Sequence, residues 1–335
     1  MSKLQAILII SLVIFYPYVI VESKDLPAAS ALYLFGDSLL DAGNNNYLPT
    51  IARVNYPPYG IDFPQGSTGR FTNGKTVGDF IDHINTNAKI YILIMKQDLI
   101  FVLLGQCLHL DEQVDLFNRT IEAELKKKFN TREELSDYLG NSLLVMYMGN
   151  NDYLYYVKAN YTKSEGPPRD HQQFSDVLLH QFYNNFQRLY SLGARKIAIF
   201  EIGPLGCLPT VIKRFGTGDE CVEDVNQVIT YFNHKLKIML SNLTSTLPGS
   251  SFALSPSYSL AYDAIKNPTK YGLTDSSKPC CITWANMTAT CIPFLPPCPD
   301  YQNHFFWDSL HPTEAVNLVT SNHFKNSTFF SLNLV

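Results

Sequence analysis

No run of lysine or arginine forms a stripe in these 335 residues, and the formal net charge is only -4. Nothing in the chain is therefore suited to track a phosphate backbone, which excludes nucleic acid as a partner. Charged residues are scarce, at 17%, whereas apolar residues reach 46%, a balance that excludes intrinsic disorder and supports a large buried core. Neither an internal repeat nor a low-complexity linker divides the chain, and its length suits a single α/β domain. Paired C-x-x-C knuckles are missing, which disfavours zinc at the tight group Cys280, Cys281, Cys291 and Cys298. No motif points to a cofactor.

What is present begins with a leader. Lys3 precedes the apolar run from Leu4 to Val21, broken only by small or aromatic residues and Pro17, and Val21-Glu22-Ser23 offers a cleavage site. Residues 1–23 thus read as a signal peptide and 24–335 as one domain. An uncleaved anchor is the alternative, because the run approaches the ~20 residues of a spanning helix. Cleavage is the preferred reading, and it leaves no stable membrane insertion. Asn-x-Ser/Thr sequons at Asn118, Asn160, Asn242, Asn286 and Asn326 are expected glycosylation positions in a secreted, extracellular or cell-wall protein. In an oxidising compartment the seven cysteines should pair, six of them in three bridges of open connectivity. Cys107 stands far from the others and is the candidate for the unpaired thiol.

Short apolar runs separated by segments of helical period predict a central parallel sheet covered by helices, a three-layer α/β/α fold. Strands are expected at 31–35, 142–148 and 196–202, and helices at 76–84, 110–129, 174–192 and 222–246. Two stretches rich in turn residues, 56–74 and 275–299, are expected to be surface loops.

Chemistry should lie at the strand ends, because open parallel sheets bind ligands at their C-terminal edge. The first strand runs into Gly36-Asp37-Ser38-Leu39-Leu40-Asp41, which places Ser38 where a helix should begin. There the free N–H groups would favour an alkoxide on Ser38 and an oxyanion beside it. Taken alone, Ser38 is better read as a helix cap. The second strand ends in Met148-Gly149-Asn150-Asn151-Asp152, whose amides reach the same crevice, or close an Asx-turn. Near the C-terminus, Trp307-Asp308-Ser309-Leu310-His311-Pro312 sets a carboxylate three residues before an imidazole, with Pro312 suited to a first helical position. Asp308 and His311 in that arrangement form an acid–base pair. His304 and His323 read as packing residues.

These blocks resemble those of plant-type GDSL esterase/lipases of the SGNH-hydrolase superfamily. The resemblance rests on 35–46, Gly149 to Asp152 and Asp308 to His311, and extends to Gly-Arg-Phe-Thr-Asn-Gly-Lys at 69–75, Gly203 to Pro209 and Cys280-Cys281. It implies a flavodoxin-like three-layer fold and an esterase whose nucleophile is Ser38, with His311 shuttling the proton and Asp308 orienting it. It further implies that the Ser38 amide and the Asn151 side chain bind the oxyanion.

One departure stands out: the glycine that the family places after the Gly-Arg-Phe region as a third oxyanion donor is missing, and 84–106 reads as an atypical segment. It is either a divergent strand whose role passes to another amide near Gly105, or the product of altered splicing or a faulty gene model, and its replaced look favours the latter. Losing one donor costs ~10²- to 10³-fold in rate. Three function classes are compatible with these features. The preferred one is a hydrolase of lipid or acylated cell-wall esters, taking a small-molecule, lipid or polysaccharide ester. The others are an acyltransferase, in which a sugar hydroxyl replaces water, and a catalytically weak or inactive secreted glycoprotein of the same fold.

Overall fold

Alternation along each strand decides the layering. In β1 (Ala31–Gly36), Tyr33 and Phe35 face one side of the sheet and Leu32 and Leu34 the other. In β3 (Leu143–Tyr147), Leu144 and Met146 oppose Leu143 and Val145; in β4 (Lys196–Phe200), Ile197 and Ile199 oppose Ala198 and Phe200. Strands apolar on both faces must be covered on both, as parallel sheets are. The structure, a computed structural model, describes residues 29–84, 89–92, 108–284, 290–328 and 332. The leader, Cys107, Gly105 and Asn286 lie outside the described residues.

Five parallel strands run in the order β2-β1-β3-β4-β5, with β2 at Lys89–Ile92 and β5 at Ser251–Ser255. This is the flavodoxin-like order, in which the chain reverses direction between β1 and β3. On the Tyr33/Phe35 face pack α2 (Leu110–Ala123), α4 (Asn150–Asn160), α5 (His171–Ser191) and α7 (Glu223–Thr246), with α3 (Arg132–Gly140) and α6 (Pro209–Phe215) at the margins. The other face is covered by Val77 and Ile81 of α1 (Val77–Ile84) and Phe324 of α9 (Glu314–Thr328), while α8 (Ser257–Lys266) packs against α9. The fold is therefore a three-layer α/β/α sandwich. Among the described residues no helix is long and apolar enough to cross a membrane.

Several expectations need correcting. Within the atypical segment, Lys89–Ile92 forms an edge strand in parallel register with Ala31 to Leu34; 85–88 and 93–106 lie outside the described residues. The two turn-rich stretches are not mere surface loops. Tyr59 and Phe71 from the first, with Val54 just before it, pack with Cys280, Cys281, Cys291 and Trp307 into a small separate core. Residues Asp275–Pro279 of the second form β6, paired in parallel with β7 (His304–Phe306). Aromatic rings and disulfides supply here the burial that helical or strand periodicity supplies elsewhere, so pattern reading passes over it. The bridges are Cys207–Cys221, Cys280–Cys298 and Cys281–Cys291, which commit all four cysteines of the tight group. Of the sequons, Asn160, Asn242 and Asn326 are exposed on helices, and Asn118 is half-buried on α2.

Candidate active site

The crevice opens where the strand order reverses. Ser38 follows β1, Asn151 follows β3, and the segment after β7 brings His311 over both, so that all three line one cavity. Ser38 Oγ and His311 Nε2 are 2.8 Å apart across 273 residues of sequence. His311 Nδ1 lies 2.9 and 2.8 Å from the two oxygens of Asp308. Ser38 and His311 are each 6% exposed, and Asp308 is fully buried.

Local turns account for the placement of each group. Asp37 accepts the Leu40 and Asp41 N–H groups on its carbonyl and the Leu39 N–H on its side chain. The turn goes no further, because the Asp41 carboxylate takes the N–H groups of Gly43, Asn44 and Asn45, and Gly43 adopts φ 116. The helix expected at Ser38 is thus a single turn, ended by a side chain that competes for backbone donors. Burial holds the Asp41 carboxyl up at about 6 despite those donors. Between Gly36 and Asp41 every backbone N–H is hydrogen-bonded except that of Ser38, which has no partner among the described residues.

The helix end that reaches the crevice belongs instead to α4. Gly149 caps it at φ 98, and a Cβ there would meet Ile202 Cδ1 at 3.0 Å. Asn151 stands in the first turn, where N–H groups are unpaired and the helix dipole is positive. It is 8% exposed, and its Nδ2 has no hydrogen-bond partner. Neighbouring Asn150 lines the same crevice, and its Nδ2 is likewise without a partner among the described residues, while its Oδ1 accepts from Gly203 N at 3.1 Å. Asp152 turns into the interior, where burial and then the nearby Asp37 carboxylate push it up to about 7.

His311 is not at a helix cap either: α9 starts at Glu314, and Pro312 bridges to Phe306. The turn from Asp308 to His311 is closed by Asp308 Oδ1, which accepts the Leu310 and His311 N–H groups at 2.8 Å each. The Gly69 to Lys75 block clamps the residues just beyond that turn. Thr72 Oγ1 donates to Pro312 O, Asn73 Oδ1 accepts from Glu314 N, and Lys75 N donates to Glu314 Oε1. Phe71 packs its ring 4.9 Å from the imidazole. His304 is buried in β7 and paired with Asp300, away from the crevice.

Two contributors are not legible in the sequence. Gln113 of α2, buried, bridges the N–H and C=O of Gly36 and so braces the strand end before Ser38. Tyr59, in the stretch read as a loop, donates to Asp308 Oδ2 at 2.6 Å. Sequence separations of 77 and 249 residues give no periodic signal for either.

Beyond the polar groups the crevice is apolar. It encloses about 830 Å³, open solvent at its mouth included, between Leu154, Leu205, Ala261, Ile265, Phe306 and Val316, among others. The Ser38 hydroxyl, the His311 imidazole and the Asn151 amide line this same crevice.

The chain matches the family model for GDSL-like lipase/acylhydrolase over residues 32–324. GDSL esterase/lipase 7 of Arabidopsis thaliana is 36% identical over 344 residues, covering 92% of each chain. A second Arabidopsis thaliana GDSL esterase/lipase is 36% identical over 312 residues, covering 86% of this chain and 79% of its own. Among solved structures, an acetyl xylan esterase from Geobacillus stearothermophilus aligns over 92% of this chain and 96% of its own, at 11% identity and a TM-score of 0.38. With nearly the whole described fold inside the family's match, this chain belongs to the GDSL-like lipase/acylhydrolase family and is a carboxylic ester hydrolase.

Proposed function

We propose that the protein is a secreted serine esterase that cleaves esters of aliphatic acids through an acyl-enzyme on Ser38, with His311 as proton carrier and Asp308 as its orienting carboxylate. The observation that carries this reading is the buried chain of contacts from Ser38 Oγ to His311 Nε2 at 2.8 Å and from His311 Nδ1 to Asp308. A carboxylate at Nδ1 holds the ring proton there and leaves Nε2 free to accept. As Ser38 Oγ bonds to the ester carbonyl carbon, its proton passes to His311 Nε2, and the resulting imidazolium faces the ionised Asp308. The carbonyl oxygen, now anionic, finds the uncommitted Ser38 N–H and the unpartnered Asn151 Nδ2. Collapse expels the alkoxide, which takes the proton from His311. Water then repeats the sequence on the acyl-enzyme, regenerating Ser38 and releasing the acid.

The apolar walls support an acyl chain as the group held in the crevice, which favours lipid or other aliphatic esters over short-chain sugar esters. The sequons and three disulfides fit an extracellular or cell-wall setting. A fluorophosphonate probe tests the reading: labelling of the wild-type protein, lost in both Ser38→Ala and His311→Ala, is the expected result. A folded wild-type protein that takes no label would overturn it.

A further inference from the structure

Asp308 has a partner beyond the imidazole. The Tyr59 hydroxyl donates to its Oδ2 at 2.6 Å and accepts the Cys291 N–H at 3.1 Å. Tyr59 is buried, its ring edge-on to those of Tyr56, Phe71 and Trp307, and Phe71 packs in turn against His311. The Cys281–Cys291 bridge anchors the segment that supplies the Cys291 N–H, and Tyr56 donates to the Cys291 carbonyl. One continuous path thus runs from a disulfide through Cys291, Tyr59, Asp308 and His311 to Ser38.

The geometry points to Tyr59 as a positioning residue that tunes the proton affinity of His311 through Asp308, an inference that rests on the Ser38–His311–Asp308 reading above. The donors around the carboxylate divide cleanly. Oδ1 is held by the Leu310 and His311 amides, within its own turn; among the described residues Tyr59 is the one donor from elsewhere in the fold. It therefore fixes the rotation of the carboxylate and draws off part of its negative charge. Burial, and the carboxylate beside it, keep the Tyr59 hydroxyl protonated far above neutrality, so it donates at any working pH. The titratable groups facing Asp308 are His311, Tyr59 and, less directly, Tyr56. Removing the Tyr59 donor leaves more charge on Asp308 and makes His311 the stronger base.

The test is an NMR titration of the His311 imidazole, assigned by its loss in His311→Ala, in wild-type protein and in Tyr59→Phe. The expected result is a rise of the His311 midpoint by about half a pH unit or more in Tyr59→Phe. The acid limb of kcat/KM should move in parallel, with kcat lowered and KM little changed. An unmoved midpoint in folded Tyr59→Phe overturns the inference. A role confined to packing would lower stability without shifting that midpoint. If Tyr59→Phe fails to fold, 3-fluorotyrosine at position 59 strengthens the donor at nearly constant shape. It should then lower the midpoint, and no shift there counts against the inference. The titration needs no turnover, so failure of fluorophosphonate labelling sinks the catalytic reading separately from Tyr59.

Discussion

Asp308 holds His311 twice, Oδ1 accepting its backbone N–H at 2.8 Å while Nδ1 lies 2.9 and 2.8 Å from Oδ1 and Oδ2, so one carboxylate sets both the turn and the ring orientation. Asp308→Asn keeps an acceptor for the turn but replaces one oxygen with an amide donor, which disfavours the tautomer that leaves Nε2 free. We expect kcat to fall by about 10³- to 10⁴-fold with a nearly unchanged unfolding temperature. Steady-state kinetics beside calorimetry will read both, and a loss below tenfold would remove Asp308 from the mechanism.

Asn151 presents a donor that the protein's interior does not use. Asn151→Ala should lower kcat by about 10²-fold or more, leave KM within a few-fold, and cost little stability, since no internal hydrogen bond of that donor is broken. Equal losses in binding and turnover, measured on one soluble ester, would instead make it a ground-state contact.

Asp152 links pH to stability. Neither of its oxygens has a hydrogen-bond partner in another of the described residues, and burial raises its pKa to about 7, above the value of about 3.9 for an unfolded chain. The folded protein therefore binds this proton more tightly than the unfolded one. Its contribution is full below about pH 3.9 and is lost as pH rises towards 7. Asp152→Asn cannot ionise, so its stability relative to wild type should improve between about pH 4 and about pH 8, by on the order of 4 kcal/mol. Thermal unfolding across that range is the measurement, and a flat difference contradicts the expectation.

Ala261 of α8 is one of the apolar residues lining the crevice that also holds Ser38 and His311. Ala261→Phe should shorten the accepted chain, lowering kcat/KM for long p-nitrophenyl esters about tenfold or more while sparing the acetate. A uniform loss across the series would mean that the acyl group lies elsewhere.

Much of the fold is legible along the chain. Strand and helix periods at 31–35, 142–148, 196–202, 110–129 and 222–246 mark out the sandwich, because burial on both faces of a sheet and one face of a helix leaves a local imprint. The strand at 251–255 carries no such imprint, being short and partly polar at the sheet edge. Asp308 and His311 are paired by their three-residue spacing, whereas Ser38 and Asn151, taken alone, read as a helix cap and part of an Asx-turn and gain a role only from the resemblance of their blocks.

The sequence alone determined the class of fold and the polar groups gathered at the strand ends. Tertiary structure decided which helix end faces Ser38, that the supposed loops form a core, and that Tyr59 and Gln113 stand behind the reacting groups. The division has one physical cause. Periodicity and turn chemistry are short-range and act along the chain, whereas a hydrogen bond spanning 249 residues exists only once packing has set its partners side by side.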